Sequence, residues 1–301
     1  MKKSTIVLIW IAVGLCIAGL IAATVGLFMM NFNFKNVSVD RDEEKTYEVS
    51  EDFDKISIDI IEGDIILARS TDGKCRVDCK ERERFGYSVS VVDGTLTIAT
   101  RDGRKWYDHI SIGNFDRTMT VYLAAEQYDS IEIDATTGDV RVPEDFSFGT
   151  AKVRITTGDV KWQAEASEEL SVKTTTGDIS ISGASPKKLQ LKSTTGEIAL
   201  AKIKCETADI KGGSGDCALA GVVAYENLNV SLTTGDIELR DCDARSLSIE
   251  ATTGDIEGTL LSGKIFSAAT TTGDVRVPSD SEGGSCKIKT TTGDIYIRIA
   301  E

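Results

Sequence analysis

Nine acidic residues recur at nearly equal spacing from residue 139 onward, each directly after a glycine. They are Asp139, Asp159, Asp178, Glu197, Asp216, Asp236, Asp255, Asp274 and Asp294. Carboxylate oxygens are preferred ligands of Ca²⁺ and Mg²⁺, so a stacked row of them could collect hydrated cations. The structural alternative is that each carboxylate accepts hydrogen bonds from turn amides or threonine hydroxyls. We favour it, and predict neither metal nor cofactor, because the nine-residue period of calcium-binding rolls is missing.

A second candidate site is the stretch between residues 101 and 117, which is rich in aromatic and cationic side chains. It contains Arg104, Trp106, Tyr107 and His109. Aromatic faces and guanidinium groups recognise sugars and peptides well, so this loop is a candidate ligand platform. The alternative is that its rings pack over the side of the domain and cover apolar surface.

The residues needed for enzyme chemistry are scarce. His109 is the sole histidine of the chain, and no Gly-x-Ser-x-Gly, His-Glu-x-x-His or phosphate-loop motif occurs. Paired carboxylates can cleave glycosides, but a pair among 48 acidic residues carries no information. We predict that the protein is not an enzyme, and a polysaccharide-acting hydrolase is our third choice of function.

The acidic residues belong to a repeated phrase, Thr-Thr-Gly-Asp, whose glycines are 19 or 20 residues apart. Such a period is typical of solenoids. Apolar residues alternate with period two on both sides of the phrase, which indicates strands. The inward-facing residues lie at odd distances before the glycine and at even distances after it, so the alternation shifts by one residue at the phrase. The phrase therefore predicts a corner. The corner glycines are Gly138, Gly158, Gly177, Gly196, Gly215, Gly235, Gly254, Gly273 and Gly293.

This pattern predicts an all-β fold, a parallel β-solenoid of about nine regular 19–20-residue coils over residues 131–301. Residues 48–130 alternate less regularly and are predicted to form irregular N-terminal coils of the same solenoid. No distinct capping segment follows the last phrase. Because uncapped parallel strands invite association, we predict weak self-association through the C-terminal coil.

An uncharged run from Ser4 to Met30 follows Lys2 and Lys3. As a helix, Ile6 to Met30 would span about 37 Å and cross a bilayer. A cleaved secretory signal is the alternative, but the run is longer than such signals and lacks an Ala-x-Ala site. We predict a cytoplasmic tip and one transmembrane helix within residues 1–30, and a polar spacer over 31–47. The two lysines then leave the solenoid, residues 48–301, outside the cell.

The sequence resembles the bacterial putative-adhesin family, a domain of unknown function built from β-strand repeats behind a membrane segment. The resemblance rests on "YDSIEIDATTGDVRV", "LSVKTTTGDISI" and "IKTTTGDIYI" and covers about residues 50–301. It implies a surface-exposed β-solenoid and names no ligand. The fifth copy departs from the pattern, because Gly213 and Ser214 replace its threonines.

Seven cysteines are present, but their positions argue against a disulfide framework. Cys217 and Cys286 occupy apolar strand positions, and Cys75 and Cys79 would lie about 13 Å apart in a strand, too far to bridge. We expect buried free thiols at these positions. Two redox states stay undetermined, those of Cys205 and Cys242.

Together these features predict a membrane-anchored cell-surface solenoid with a non-enzymatic binding or scaffolding role in the bacterial envelope. Residues 31–301 carry a net charge of −16, which disfavours nucleic acid and other anionic polymers as partners unless cations bridge the contact. The remaining partner classes are an envelope protein or a polysaccharide. The alternative function is a regulatory ectodomain of an envelope-stress sensing system.

Overall fold

The computed structural model describes most of the chain, namely residues 10, 12–21, 24–25, 43–82, 85–103, 117–279 and 282–300. The chain divides into two compact units, residues 1–42 with 103–115 and residues 43–102 with 116–301.

In the first unit, residues 12–21 are helical and their side chains are exposed. No helix among the described residues combines the length and apolar character needed to cross a membrane. More than half of the segment 1–30, for which a transmembrane helix is predicted, lies outside the described residues.

The second unit consists of strands joined by tight corners. In chain order they are β1 (Glu43–Val49), β2 (Lys55–Glu62), β3 (Asp64–Arg69), β4 (Cys75–Glu81), β5 (Phe85–Val92), β6 (Thr95–Asp102), β7 (Thr118–Leu123), β8 (Gln127–Thr137), β9 (Val140–Val142), β10 (Ser147–Thr157), β11 (Val160–Trp162), β12 (Glu165–Thr176), β13 (Ile179–Ser182), β14 (Lys188–Thr195), β15 (Ile198–Ser214), β16 (Cys217–Thr234), β17 (Ile237–Thr253), β18 (Ile256–Leu260), β19 (Lys264–Thr272), β20 (Val275–Arg276), β21 (Gly284–Thr292) and β22 (Ile295–Ile299).

These strands confirm the predicted all-β solenoid, which has about eight turns. At each corner a strand ends and another begins, and both pair in parallel with their equivalents in the next coil. For example, β10 pairs with β8 and β12, while β11 pairs with β9 and β13. The nine repeated phrases enclose eight intervals, so the predicted count of about nine coils is corrected to about eight turns.

The corner glycines stack backbone on backbone. All nine have φ between +132° and +142°, a range that side chains disfavour. A Cβ atom on Gly254 would lie 2.0 Å from the carbonyl oxygen of Gly235 in the adjacent coil. Both the backbone conformation and the lack of space therefore require glycine at the corner.

The N-terminal end of the solenoid is not stacked in sequence order. The strands β2 and β3 form a coil around Gly63 that pairs with β8 and β9 on one side. On its other side lie β6 and β7, which follow it in sequence. Antiparallel strands complete this end, with β5 on β6, β4 on β7 and β1 on β4. The strand β1 pairs with β4 and begins at Glu43, so part of the stretch 31–47 predicted as a spacer forms a strand.

The C-terminal end shows the same exchange of order. The strand β21 pairs with β17 on one side and β19 on the other, and β22 lies between β18 and β20. The coil of Gly293 is thus inserted between the coils of Gly254 and Gly273. The expectation that the C-terminal coil forms the open end is wrong, because β19 and β20 form that end.

The side chains explain why the last coil occupies an inner place. It points Cys286, Ile288 and Ile297 into the interior, each at most 2% exposed. In the end coil, formed by β19 and β20, Ile265 is 54% exposed and the inward-facing side chains are only partly buried. An ion pair of 2.5 Å from Lys264 Nζ in β19 to Asp243 Oδ1 in β17 joins the strands on either side of β21.

The interior of the solenoid is filled by one continuous cluster of apolar side chains. Its first coils are closed by stacked rings, with centroids 5.7 Å apart for Phe53 and Tyr128 and 6.1 Å for Tyr128 and Phe148. Phe148 also contacts Trp162, whose indole N–H donates to the carbonyl of Ala164 at 2.7 Å. Since the interior is packed, ligands must bind at the outer surface.

Candidate functional site

The predicted acidic row lies along the stacked corners and connects them. The backbone N–H of most of its residues donates to the Oδ1 of the aspartate in the adjacent coil, with N···O distances of 2.7–3.0 Å. The row begins at Asp64, one coil before the first full phrase. The linked pairs, acceptor first, are Asp64–Asp139, Asp139–Asp159, Asp159–Asp178, Asp178–Glu197, Asp216–Asp236, Asp236–Asp255, Asp255–Asp294 and Asp294–Asp274.

These hydrogen bonds give the carboxylates a structural role, because they connect neighbouring coils. Carboxylates at the strand spacing of about 4.8 Å repel each other by about 3.5 kcal/mol at an effective dielectric of 20. A hydrogen bond from an amide to an ionised carboxylate offsets part of this repulsion. Within the described part of the chain, no group of three His, Cys, Asp or Glu side chains is arranged to hold a metal ion. The hydrogen bonds from amide to carboxylate make the acidic row a link between neighbouring coils, which we call the clasp.

The clasp is interrupted at Glu197, the one glutamate of the row. Its own amide donates to Asp178 Oδ1 at 2.8 Å, but no bond from the amide of Asp216 to its longer side chain forms. We expect Glu197→Asp to restore this link and to raise the free energy of unfolding by about 1 kcal/mol, the net contribution of one hydrogen bond. Urea unfolding measures the change. Asp236→Glu, which lengthens a linked side chain, is the matched control and should lower stability; a gain in both variants would contradict the clasp.

The predicted ligand platform of Arg104, Trp106, Tyr107 and His109 lies outside the described residues. It therefore stays a prediction.

All seven cysteines are unpaired in the structure. Burial raises the pKa of three thiols to about 12 and of two others to about 11. The first group is Cys79, Cys217 and Cys286, and the second is Cys205 and Cys242. Because the thiolate is the reactive form, these side chains are poor nucleophiles and belong to the packed interior.

A buried carboxylate that the sequence reasoning missed lies at the N-terminal end of the solenoid. Glu81 is 6% exposed and accepts hydrogen bonds from Tyr47 Oη at 2.5 Å, the Tyr87 amide at 2.9 Å and Lys45 Nζ at 3.2 Å. Burial alone would raise the pKa of Glu81, but these hydrogen bonds together outweigh it and lower the pKa. The cluster joins β1, β4 and β5, so its role is structural.

This cluster predicts a pH dependence of stability. Because the pKa of Glu81 is lower in the folded chain, its stabilisation is complete above its ordinary pKa of 4.5 and is lost as the pH falls through the folded value. We expect Glu81→Gln to lower the free energy of unfolding by about 2 kcal/mol at pH 7, and by less at acidic pH. Urea unfolding at several pH values tests this. A deficit that does not change with pH would contradict it.

The structure also brings together a row of basic side chains that sequence reasoning missed. Arg154, Lys173, Lys192 and Lys211 are exposed neighbours on four successive parallel strands. Each stands four residues before a corner glycine, so aligning the repeats on that glycine would have revealed the row.

A groove of about 410 Å³ runs beside this basic row. Arg154, Lys173 and Lys192 line it together with Asp59, Asp134 and the threonines of the corner phrases, including Thr175 and Thr194. The two ends of the row are neutralised: Arg154 Nη1 lies within 2.9 Å of two acidic side chains, and Lys211 Nζ lies 2.9 Å from Asp209 Oδ2. The groove therefore carries carboxylates beside Arg154 and combines ammonium groups with hydroxyl groups around Lys173 and Lys192.

Solved structures with the same fold are named for adhesion and lipid binding. A putative adhesin from Parabacteroides distasonis aligns with a TM-score of 0.56 and 14% identity, over 86% of this chain and 98% of that one. A putative lipid binding protein from the same species aligns with a TM-score of 0.52 and 15% identity, over 86% and 97%. At these identities the likeness concerns the fold alone. No curated protein matches the sequence.

A family model described as Toastrack DUF4097 matches residues 53–222 and 204–301, most of the chain. Both matched segments contain the glycine corners and the clasp between coils. The family model and the solved adhesin-like structures confirm the resemblance to the putative-adhesin family that the repeats indicate. The chain belongs to the Toastrack DUF4097 family.

Proposed function

We propose that the protein is a non-enzymatic binding or scaffolding protein of the bacterial envelope. The observation that carries the proposal is the continuous stack itself, in which one apolar cluster fills the interior and the outer side chains stand in straight rows. Such a surface is rigid and repetitive, which suits the display of many equivalent contacts along an extended partner. The adhesion and lipid-binding names of the solved structures with this fold agree with a binding role.

The proposal includes a membrane anchor formed by residues 4–30, with the solenoid outside the cell. Its support is the length of the uncharged apolar run and the lysines that precede it. The corresponding test labels intact cells with a membrane-impermeant maleimide. Lys161→Cys places a thiol on an exposed strand position, while five of the six native cysteines of the solenoid are buried and react slowly.

We expect the Lys161→Cys chain to be labelled on intact cells well above the level of the parent chain. A buried position, Val160→Cys, is the matched negative control. Labelling that requires cell lysis would contradict an extracytoplasmic solenoid.

Self-association is a further part of the proposal, at the end formed by β19 and β20 rather than at the C-terminal coil. Among the described strands β19 pairs only with β21, so its outer edge has free backbone groups beside the exposed Ile265. We expect concentration-dependent dimers in sedimentation experiments up to about 100 μM, weakened by Ile265→Lys. A parent chain that stays monomeric over this range would exclude a strong contact.

A further inference from the structure

The two central members of the basic row, Lys173 and Lys192, have no acidic partner among the described residues. They are direct neighbours on the parallel strands β12 and β14, about 4.8 Å apart. Like charges at such positions destabilise a sheet. The flanking cations of the same row each have a carboxylate partner, so the fold neutralises positive charge where it borders this pair and leaves the pair itself uncompensated.

The threonine hydroxyl groups beside the lysines are also available to bind a ligand. Thr156, Thr175 and Thr194 are exposed, line the same groove, and make no side-chain hydrogen bond with the described residues. Ammonium groups and hydroxyls both donate to anionic oxygens, and lysine is a common phosphate ligand. Each of the two neighbouring strands β12 and β14 therefore presents one ammonium donor and one hydroxyl donor to the groove.

The shape of the positive surface limits the ligand. The groove is open and crosses several strands, so it encloses no single ion and draws affinity from contacts repeated along its length. Asp59 and Asp134 continue the row at its Arg154 end and line the groove there, and Asp209 neutralises Lys211 at the other end. The uncompensated positive charge is therefore confined to Lys173 and Lys192. A nucleic acid duplex is broad and would bring further phosphates against these acids, whereas a single flexible chain would not.

We propose that this groove binds a linear polymer with phosphate groups repeated along its chain, held by Lys173 and Lys192 and by the threonine hydroxyls. The inference rests on the proposed binding function and gives it a ligand class. It also revises the expectation from net charge that anionic polymers are disfavoured, since the charge is distributed unevenly over the surface.

The test is calorimetric titration of the full-length chain with inorganic polyphosphate at two salt concentrations. We expect saturable binding that weakens with salt, and a loss of affinity of about tenfold or more in Lys173→Gln/Lys192→Gln. The matched control is Lys161→Gln/Lys204→Gln, which removes the same charge from exposed lysines outside the groove and should stay within about twofold of the parent. Circular dichroism checks that both variants are folded.

Several outcomes would overturn the proposal. These are no binding of polyphosphate, equal losses in both double variants, or equally tight binding of poly-glutamate or duplex DNA. Binding of anionic lipid vesicles without binding of polyphosphate would assign the groove to lipid headgroups instead. The labelling experiment on intact cells is independent of this titration, so failure of the ligand assignment can be told apart from failure of the proposed location.

Discussion

Replacing Gly254 with alanine is expected to lower the free energy of unfolding by about 3 kcal/mol or more. The φ angle of +142° disfavours any side chain, at a cost of about 1–2 kcal/mol. The new Cβ would also lie 2.0 Å from the carbonyl oxygen of Gly235, and overpacking of this kind costs about 1–3 kcal/mol. Urea unfolding monitored by circular dichroism measures the loss.

The matched control for this substitution is Gly183→Ala. Gly183 also has a positive φ, +77°, but a Cβ there would meet no atom within 4 Å. We expect a loss of only about 1 kcal/mol, from backbone strain alone. Equal losses at both positions would mean that close stacking of the corners does not limit the side chain at Gly254.

Deleting residues 282–301 is expected to disorder two coils rather than one. The deletion removes β21, the strand that separates β19 from β17. The strand β19 then has no partner, although it precedes the deleted residues in sequence. We expect the amides of Lys264–Thr272 to lose their protection against hydrogen exchange, while those of β12 (Glu165–Thr176) keep theirs. Persistent protection of Lys264–Thr272 would indicate that β19 pairs directly with β17.

The regular coils are predictable from sequence because each one carries its own local signals. The parity of apolar residues changes at every phrase, and glycine permits the backbone conformation that the corner needs. At Gly254, for example, Ile249 and Ile256 lie on either side of the corner and both point inward. Strand class, corner position and interior residues all follow from such a pattern.

The order of the coils at the two ends is not predictable in this way. The regular coils are 19 or 20 residues long and share one inward pattern, so the repeat alone allows Ser246 of β17 to pair with either β19 or β21. The choice depends on the packing of Ile288 and Ile297 and on the ion pair between Lys264 and Asp243, which are contacts distant in sequence. Local periodicity carries no information about them.

The bonding of the acidic row is a similar case. An aspartate after glycine suggests a side chain that bonds within its own turn. The structure instead directs Asp236 Oδ1 to the amide of Asp255 in the adjacent coil. The basic row is hard to predict for a different reason, since the overall net charge does not show where charges lie on the surface. Lys173 and Lys192 are too far apart in sequence to be recognised as a cluster.

The order of stacking determines which corners, clasp residues and outer side chains are neighbours at the C-terminal end of the solenoid. Disulfide cross-linking tests it most directly. Ser246 and Ser285 are paired neighbours on β17 and β21, with their hydroxyl oxygens 2.9 Å apart. Stacking in sequence order would instead set Ser246 beside Ile265 of β19.

We therefore expect Ser246→Cys/Ser285→Cys to form a disulfide on mild oxidation of the folded chain, since the adjacent backbones suit its geometry. Ser246→Cys/Ile265→Cys should stay reduced, because β21 lies between the two positions. Mass spectrometry of peptides from the oxidised chains identifies the cross-link. A disulfide in the second variant and none in the first would contradict the insertion of the C-terminal coil.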